Sequence, residues 1–285
     1  MLRLGSTEEI EKQFEEGYIR FGCPANWILY ARTQPPGVAD RFEGIFAHVK
    51  KDDPRFGMIC DDGYPLNYSR SLWNDEEPDG TVYARYVYST LVPTVCFYSI
   101  AVKKAAKYFG IKGNGSMYLS ADLKPYIKAL NIDPEKSSML VIRFPWMLAD
   151  DLRREIPQAV VKNGFLYKKD FDPGNPMAIK YVTYDLDVKK QFWDLHPCNE
   201  LFHKRPEFKN QREARIIIPN TFFMMDPVKK PDWFFINQLK VPVPNIKNYA
   251  LVVPCSRCNQ VVFDQFNEDL SRYRLTFRYD DQPNQ

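Results

Sequence analysis

The sequence predicts a mixed fold of helices and strands weighted towards sheet, and three observations carry that expectation. The chain opens as strand, capped helix, glycine and strand. Its apolar runs are short and β-branched, and 15% of its residues are aromatic, mostly Tyr and Phe. At 285 residues with 45% hydrophobic side chains, it has material for a real core. No linker-like composition and no internal repeat divides it, so a single domain over 1–285 is expected.

Leu2 to Gly5 reads as a short strand. Ser6 is a good helix N-cap, and Glu9, three residues on, completes a capping box for a helix from Thr7 to Glu16. Gly17 supplies the left-handed residue that ends it, and Tyr18 to Phe21 resumes as strand. Between Cys23 and Asp79 the turns Pro35-Pro36-Gly37, Asp52-Asp53-Pro54 and Glu76-Glu77-Pro78-Asp79-Gly80 break any long element. Tyr83 to Tyr88 and Thr94 to Tyr98 read as strands, with Leu91-Val92-Pro93 turning between them. A short basic helix at Lys103–Tyr108 and a turn at Gly113-Asn114-Gly115-Ser116 lead to a strand from Met117 to Leu119. Leu123 to Leu130 is an amphipathic helix, Ser138 to Phe144 a buried strand, and about Met147 to Arg154 a further helix. Strands at Phe165–Lys168 and Ala178–Tyr184 flank a Pro/Gly-rich turn, followed by a helix over Val188–Leu195. Trp233-Phe234-Phe235-Ile236, Tyr249 to Val253 and a terminal strand from Tyr273 to Tyr279 complete the chain.

The charge of +3 is compatible with a polyanionic partner without requiring one. No apolar run reaches the ~18 residues that a membrane helix needs, so no membrane partner is expected. The N-terminus lacks the shape of a signal peptide, and six irregularly spaced cysteines suit reduced thiols in a cytoplasm. Cys255-Ser256-Arg257-Cys258 has the spacing of half a zinc site, but the second half is missing. A pair of buried or edge thiols is the preferred reading, and no metal is expected.

The stretch that invites chemistry runs from His203 to Pro219. There a charged loop enters the apolar run Ala214-Arg215-Ile216-Ile217-Ile218. Gln211 and Glu213 are two apart, so on extended backbone they share a face at the mouth of the strand. An amide beside a carboxylate can hold a ligand hydroxyl and orient a second reactant.

This segment resembles the acceptor loop and Gln-x-Glu pair of the ADP-ribosyltransferase superfamily. The pattern Lys204-x-Pro206-x-Phe208 followed by Glu213-x-Arg215 also resembles a group of bacterial proteins placed near that superfamily. The resemblance covers most of residues 1–220 and implies an α+β core, two small facing β-sheets around an NAD cleft with flanking helices. It implies that Arg3, on the first strand, anchors the dinucleotide. It assigns Ser99, at the end of Val95-Cys96-Phe97-Tyr98-Ser99, to the nicotinamide ribose, with Ser89 as the alternative. The more common Ser-Thr-Ser wording is absent. Glu213 would bind the ribose 2′-hydroxyl and stabilise the cation formed as nicotinamide leaves, while Gln211 would face the acceptor. On the same loop Phe208, Lys204 and Arg205 would suit a flat, anionic acceptor, RNA or single strands. The profile resembles toxins of bacterial toxin–antitoxin and anti-phage systems, which implies an antitoxin protein as a second partner. A protein acceptor, NAD hydrolysis, and a non-catalytic NAD- or nucleic-acid-binding module are the other readings of the same residues.

Overall fold

The computed structural model describes residues 1–31, 40, 42–50, 52, 75–76, 78–99, 117–118, 123, 126–128, 130–163, 166–167, 172–187, 198–219, 221–222, 239–264 and 276–279. The elements expected at 103–108, 188–195 and 233–236, and the turn at 113–116, lie outside the described residues. The chain combines several helices with antiparallel sheets, as the α+β class requires. It forms two compact units: Met1–Tyr18 with Phe97–Asp150 and Val243–Gln285, and Ile19–Cys96 with Asp151–Pro242.

In the first unit the strand Leu2–Ser6 pairs antiparallel with Ser137–Ile142, from Leu2 opposite Val141 to Ser6 opposite Ser137. Ala250–Pro254 pairs on the far side of Ser137–Ile142. The capping reading holds: the Ser6 hydroxyl accepts from the Glu9 N–H at 3.3 Å and opens the helix Thr7–Glu16. Gly17 closes it at φ 66°, its N–H donating to the Gln13 carbonyl. Leu2, Tyr98, Leu123, Ile127, Met139, Val141 and Val253 form the core, joined by Cys255 and Cys258. Those two cysteines are buried on a 3-10 turn, Cys255–Gln260. Burial, followed by the neighbouring Cys258, pushes the Cys255 thiol up to about 12. A second sheet joins Met117–Tyr118, Val261–Asp264 and Thr276–Tyr279.

In the second unit Ile45–Lys50 pairs antiparallel with Thr81–Arg85, and Asp75–Glu76 lies on the other edge of Thr81–Arg85. Phe46, Ala47, Val49, Val82 and Ala84 fill one side of this hairpin. The strand Glu213–Ile217 pairs with Ala178–Tyr181, Ala178 opposite Ile217 and Tyr181 opposite Ala214, and its other neighbour is the strand that begins at Thr94. The middle strand is buried along its whole length, which its β-branched run demands.

The strand expected over Ala178–Tyr184 ends at Tyr181, and two further elements depart from the sequence expectation. The strand expected to reach Tyr88 stops at Arg85, and Val87–Leu91 turns as helix. Val87 and Tyr88 read as strand by propensity, but tertiary contacts decide: Ser89 and Thr90 are fully buried there, and the Ser89 hydroxyl accepts the Cys198 N–H at 3.0 Å. The helix expected to end near Arg154 runs on, Pro145–Lys162, through Pro157. A proline normally ends a helix by removing a donor. Here the buried stripe Leu148, Leu152, Ile156, Ala159 and Val160 continues past it at helical spacing.

Candidate functional site

The loop that carries the candidate residues is pinned at both ends. On entry, Thr183 N–H donates to the Phe202 carbonyl and Lys204 N–H to the Thr183 carbonyl, at 2.7 and 2.9 Å. Pro206 then starts a 3-10 turn, Pro206–Gln211, where its missing N–H costs nothing. On exit, Arg212 adopts left-handed backbone at φ 40° before Glu213 begins the strand. Glu213 N–H donates to the Tyr184 hydroxyl at 2.8 Å, and its carbonyl accepts the Val182 N–H. Gln211 therefore lies off the strand, one turn and a left-handed residue before it, so the shared extended face expected for Gln211 and Glu213 is corrected.

They still meet, through a cation. The Lys204 ammonium lies 2.8 Å from Gln211 Oε1 and 2.7 Å from Glu213 Oε2. Glu213 and Arg215, alternate residues of one strand, share a face. Arg215 Nε lies 2.8 Å from Glu213 Oε1, and Nη2 3.2 Å from Oε2. The other edge of the guanidinium grips Glu43, with Nη2 3.0 Å from Oε2 and Nη1 on Oε1, and Nη1 also donates to the Leu201 carbonyl. Lys204 completes the ring at 3.6 Å from Glu43.

Glu43 is placed by a tight turn. Asp40 Oδ1 accepts the Phe42 N–H at 2.9 Å, and Gly44 takes φ 67°, a conformation only glycine adopts cheaply. Arg85 Nε holds the Glu43 carbonyl at 2.8 Å.

Glu43, Lys204, Glu213 and Arg215 are all buried, two carboxylates against two cations. A lone buried charge would be prohibitive, whereas a neutral, hydrogen-bonded quartet is tolerated. Burial by itself pushes the Glu213 carboxyl up, but Arg215 and Lys204 outweigh it and hold the group well below the usual carboxylate range. Burial likewise disfavours the Lys204 ammonium, yet Glu213 and Glu43 raise it above an ordinary lysine. Cys96, on the neighbouring strand, has its thiol held protonated by burial and then by the Glu213 charge.

The remaining expected residues fall in two places. Phe208 is only 5% exposed, so its ring fills the inside of the loop instead of offering a stacking platform. Arg205 stacks between rings, its Cζ 4.2 Å from the centroid of Phe42 and 5.1 Å from that of Phe208. Its nitrogens pair with Asp40 at 2.9 Å and Glu207 at 2.7 Å. Lys204, Arg205 and Phe208, expected to face an acceptor, are thus engaged within the loop and its support. Arg3 and Ser99 belong to the first unit. There the Arg3 guanidinium lies 3.7 Å from Glu9, and Ser99 is half-buried just after its strand. The alternative serine, Ser89, is fully buried.

Sequence reasoning missed Glu43, Arg215 and Tyr184 as members of the site. Arg215 had a signal, the Glu-x-Arg spacing that places both on one strand face. Glu43 had none, because 172 positions separate it from Arg215 and only the fold joins them.

The arrangement can present a fixed, ionised carboxylate at the head of a rigid strand, beside an amide held by the same cation. A carboxylate offers about four acceptor positions. Arg215 and Lys204 take three on Glu213, and the Cys96 thiol also hydrogen-bonds this carboxylate. Comparison with protein-family models, curated proteins and solved structures finds no match.

Proposed function

We propose that the chain is an ADP-ribosyltransferase that uses NAD as co-substrate and transfers ADP-ribose to a macromolecular acceptor, RNA foremost. The bond between ribose C1′ and the nicotinamide nitrogen breaks, and its electron pair leaves with neutral nicotinamide. The C1′ cation is taken by a nucleophile of the acceptor, which releases a proton to solvent. Positive charge develops on the sugar, and a carboxylate fixed before the reaction favours that state over the substrate. The observation that carries this reading is the Glu213 carboxylate, kept ionised and oriented by Arg215 and Lys204 with Gln211 on the same ammonium. The ADP-ribosyltransferase-like fold with its NAD cleft, the dinucleotide roles of Arg3 and Ser99, and a toxin role restrained by an antitoxin belong to the same proposal and rest on the resemblance.

One observation favours a second reading, a non-catalytic NAD- or nucleic-acid-binding module. Glu213 is only 7% exposed, and both its oxygens are already ion-paired. Such a carboxylate also serves as a structural lock.

Labelled NAD incubated with total RNA and total protein separates the readings. Transfer predicts label in RNA that disappears with Glu213→Gln and falls steeply with salt, because phosphate contacts release counterions. Label confined to protein makes the acceptor a protein, and free ADP-ribose alone makes the enzyme a glycohydrolase. NAD binding without turnover leaves the binding module.

A further inference from the structure

We infer that Lys204 is the positioning residue of this site, the cation that fixes the amide of Gln211 relative to the carboxylate of Glu213. The inference rests on the transferase reading above and goes further by saying what couples acceptor capture to NAD cleavage. The ammonium has three donors, and three acceptors surround it: Gln211 Oε1 at 2.8 Å, Glu213 Oε2 at 2.7 Å and Glu43 Oε2 at 3.6 Å. The ammonium is buried, and Gln211 is half-buried beside it. Arg215 cannot take over the link, since its nitrogens are committed to Glu213, Glu43 and the Leu201 carbonyl.

Two separable duties follow from this geometry. The first is charge balance. With Lys204 the buried quartet is neutral; without it, two carboxylates share one guanidinium and one of them is driven to take up a proton. The second is distance. The amide of Gln211 is the only part of the pair outside the strand, and Lys204 is the strut between it and the strand residue Glu213. A cation at C1′ is captured by whatever nucleophile stands in line, and water takes it when the acceptor is held loosely.

Three variants separate these duties. Lys204→Met removes both. Lys204→Arg keeps the charge and offers a donor fork. Lys204→Met combined with Glu43→Gln removes one cation and one anion, so the cluster stays neutral and the fold is protected, while the strut is absent. The measurements are NAD cleavage across pH, the share of cleaved ADP-ribose that reaches RNA, and thermal unfolding.

Lys204→Met is expected to move the acidic limb of the pH–rate profile up by about 1–3 units, as loss of a neighbouring opposite charge does. It should also lower the transferred share by about tenfold or more, on the scale of a misplaced reactant. Lys204→Arg should restore both in large part. The neutral double variant should recover the pH limb but not the transferred share.

A double variant that regains the wild-type share overturns the inference, because Lys204 then only balances charge. Wild-type share and pH limb in Lys204→Met overturn it outright. If Lys204→Met does not fold, the double variant decides. If wild-type protein cleaves NAD, Glu213→Gln does not, and the Lys204 variants behave as wild type, the inference fails alone. If wild-type protein neither cleaves nor transfers, the transferase reading fails and takes the inference with it.

Discussion

Glu213 and Arg215, two positions apart on one strand, form a two-point ion pair, with Nε 2.8 Å from Oε1 and Nη2 3.2 Å from Oε2. Alternation along a strand places such residues side by side, and here both are buried. The pair survives because Lys204 and Glu43 close it into a neutral ring.

Glu213→Gln is therefore a test of stability as well as catalysis. The amide keeps the shape, but Arg215 and Lys204 are left facing Glu43 alone. Breaking a buried pair on one side costs about 3–5 kcal/mol, so the urea midpoint should fall clearly. Turnover of NAD should drop about 10²–10³-fold, the usual effect of losing a preorganised electrostatic group. A wild-type midpoint would mean that the freed cations reach solvent, against the burial described for them.

Phe208→Ala should act on the fold. The ring is buried and carries the Arg205 guanidinium on its face, so truncation leaves a cavity and costs about 3–5 kcal/mol. Equilibrium unfolding measures it. A loss of RNA modification with unchanged stability would restore the ring to the acceptor surface.

Gly44→Ala should destabilise through the turn that places Glu43. A Cβ there meets Leu201 Cδ2 at 3.2 Å, and φ is 67°. Left-handed backbone costs a non-glycine residue about 1–2 kcal/mol. Thermal unfolding should show that loss, and a gain in stability would contradict the placement of the turn.

Two carboxylates contribute to the pH dependence in opposite directions. Glu200 is fully buried, and burial pushes its carboxyl from 4.5 up to about 8. Between those values the folded state holds a proton that the unfolded chain has released. Its contribution to stability is complete below pH 4.5 and declines up to about pH 8, by roughly 1.4 kcal/mol per unit. Glu213 runs the other way, since its folded value is depressed: its contribution is present above 4.5 and is lost as the pH falls below that. Denaturant midpoints from pH 4 to 9 should thus fall more steeply towards alkaline pH in the wild type than in Glu200→Gln. An identical decline in that variant would assign it to another group.

What could be read in the sequence was local. The Ser6–Glu9 capping box, the Gly17 stop and the run at Ala214–Ile218 each have signals within a few residues, and all three stand where expected. The loop was legible as a loop, but not its path. Nothing in Gln211-Arg212-Glu213 announces that an arginine will take φ 40°, and that one residue removes Gln211 from the strand face. The burial of Lys204 and Phe208 depended on Glu43, Asp40 and Phe42, far away in the chain, so periodicity could not reveal it. The helix expected to end near Arg154 runs past Pro157 to Lys162, because an apolar stripe continues beyond a residue that normally stops a helix.

The closed quartet also constrains how this chain can change over generations. Replacing any one of Glu43, Lys204, Glu213 or Arg215 by a neutral residue strands a buried charge, and most single steps away from the set pass through a poorly folded intermediate. The low-cost exits remove one cation and one anion together. Descendants of this chain should accordingly carry all four residues, or lose them in oppositely charged pairs, and Gly44 should be retained wherever Glu43 remains.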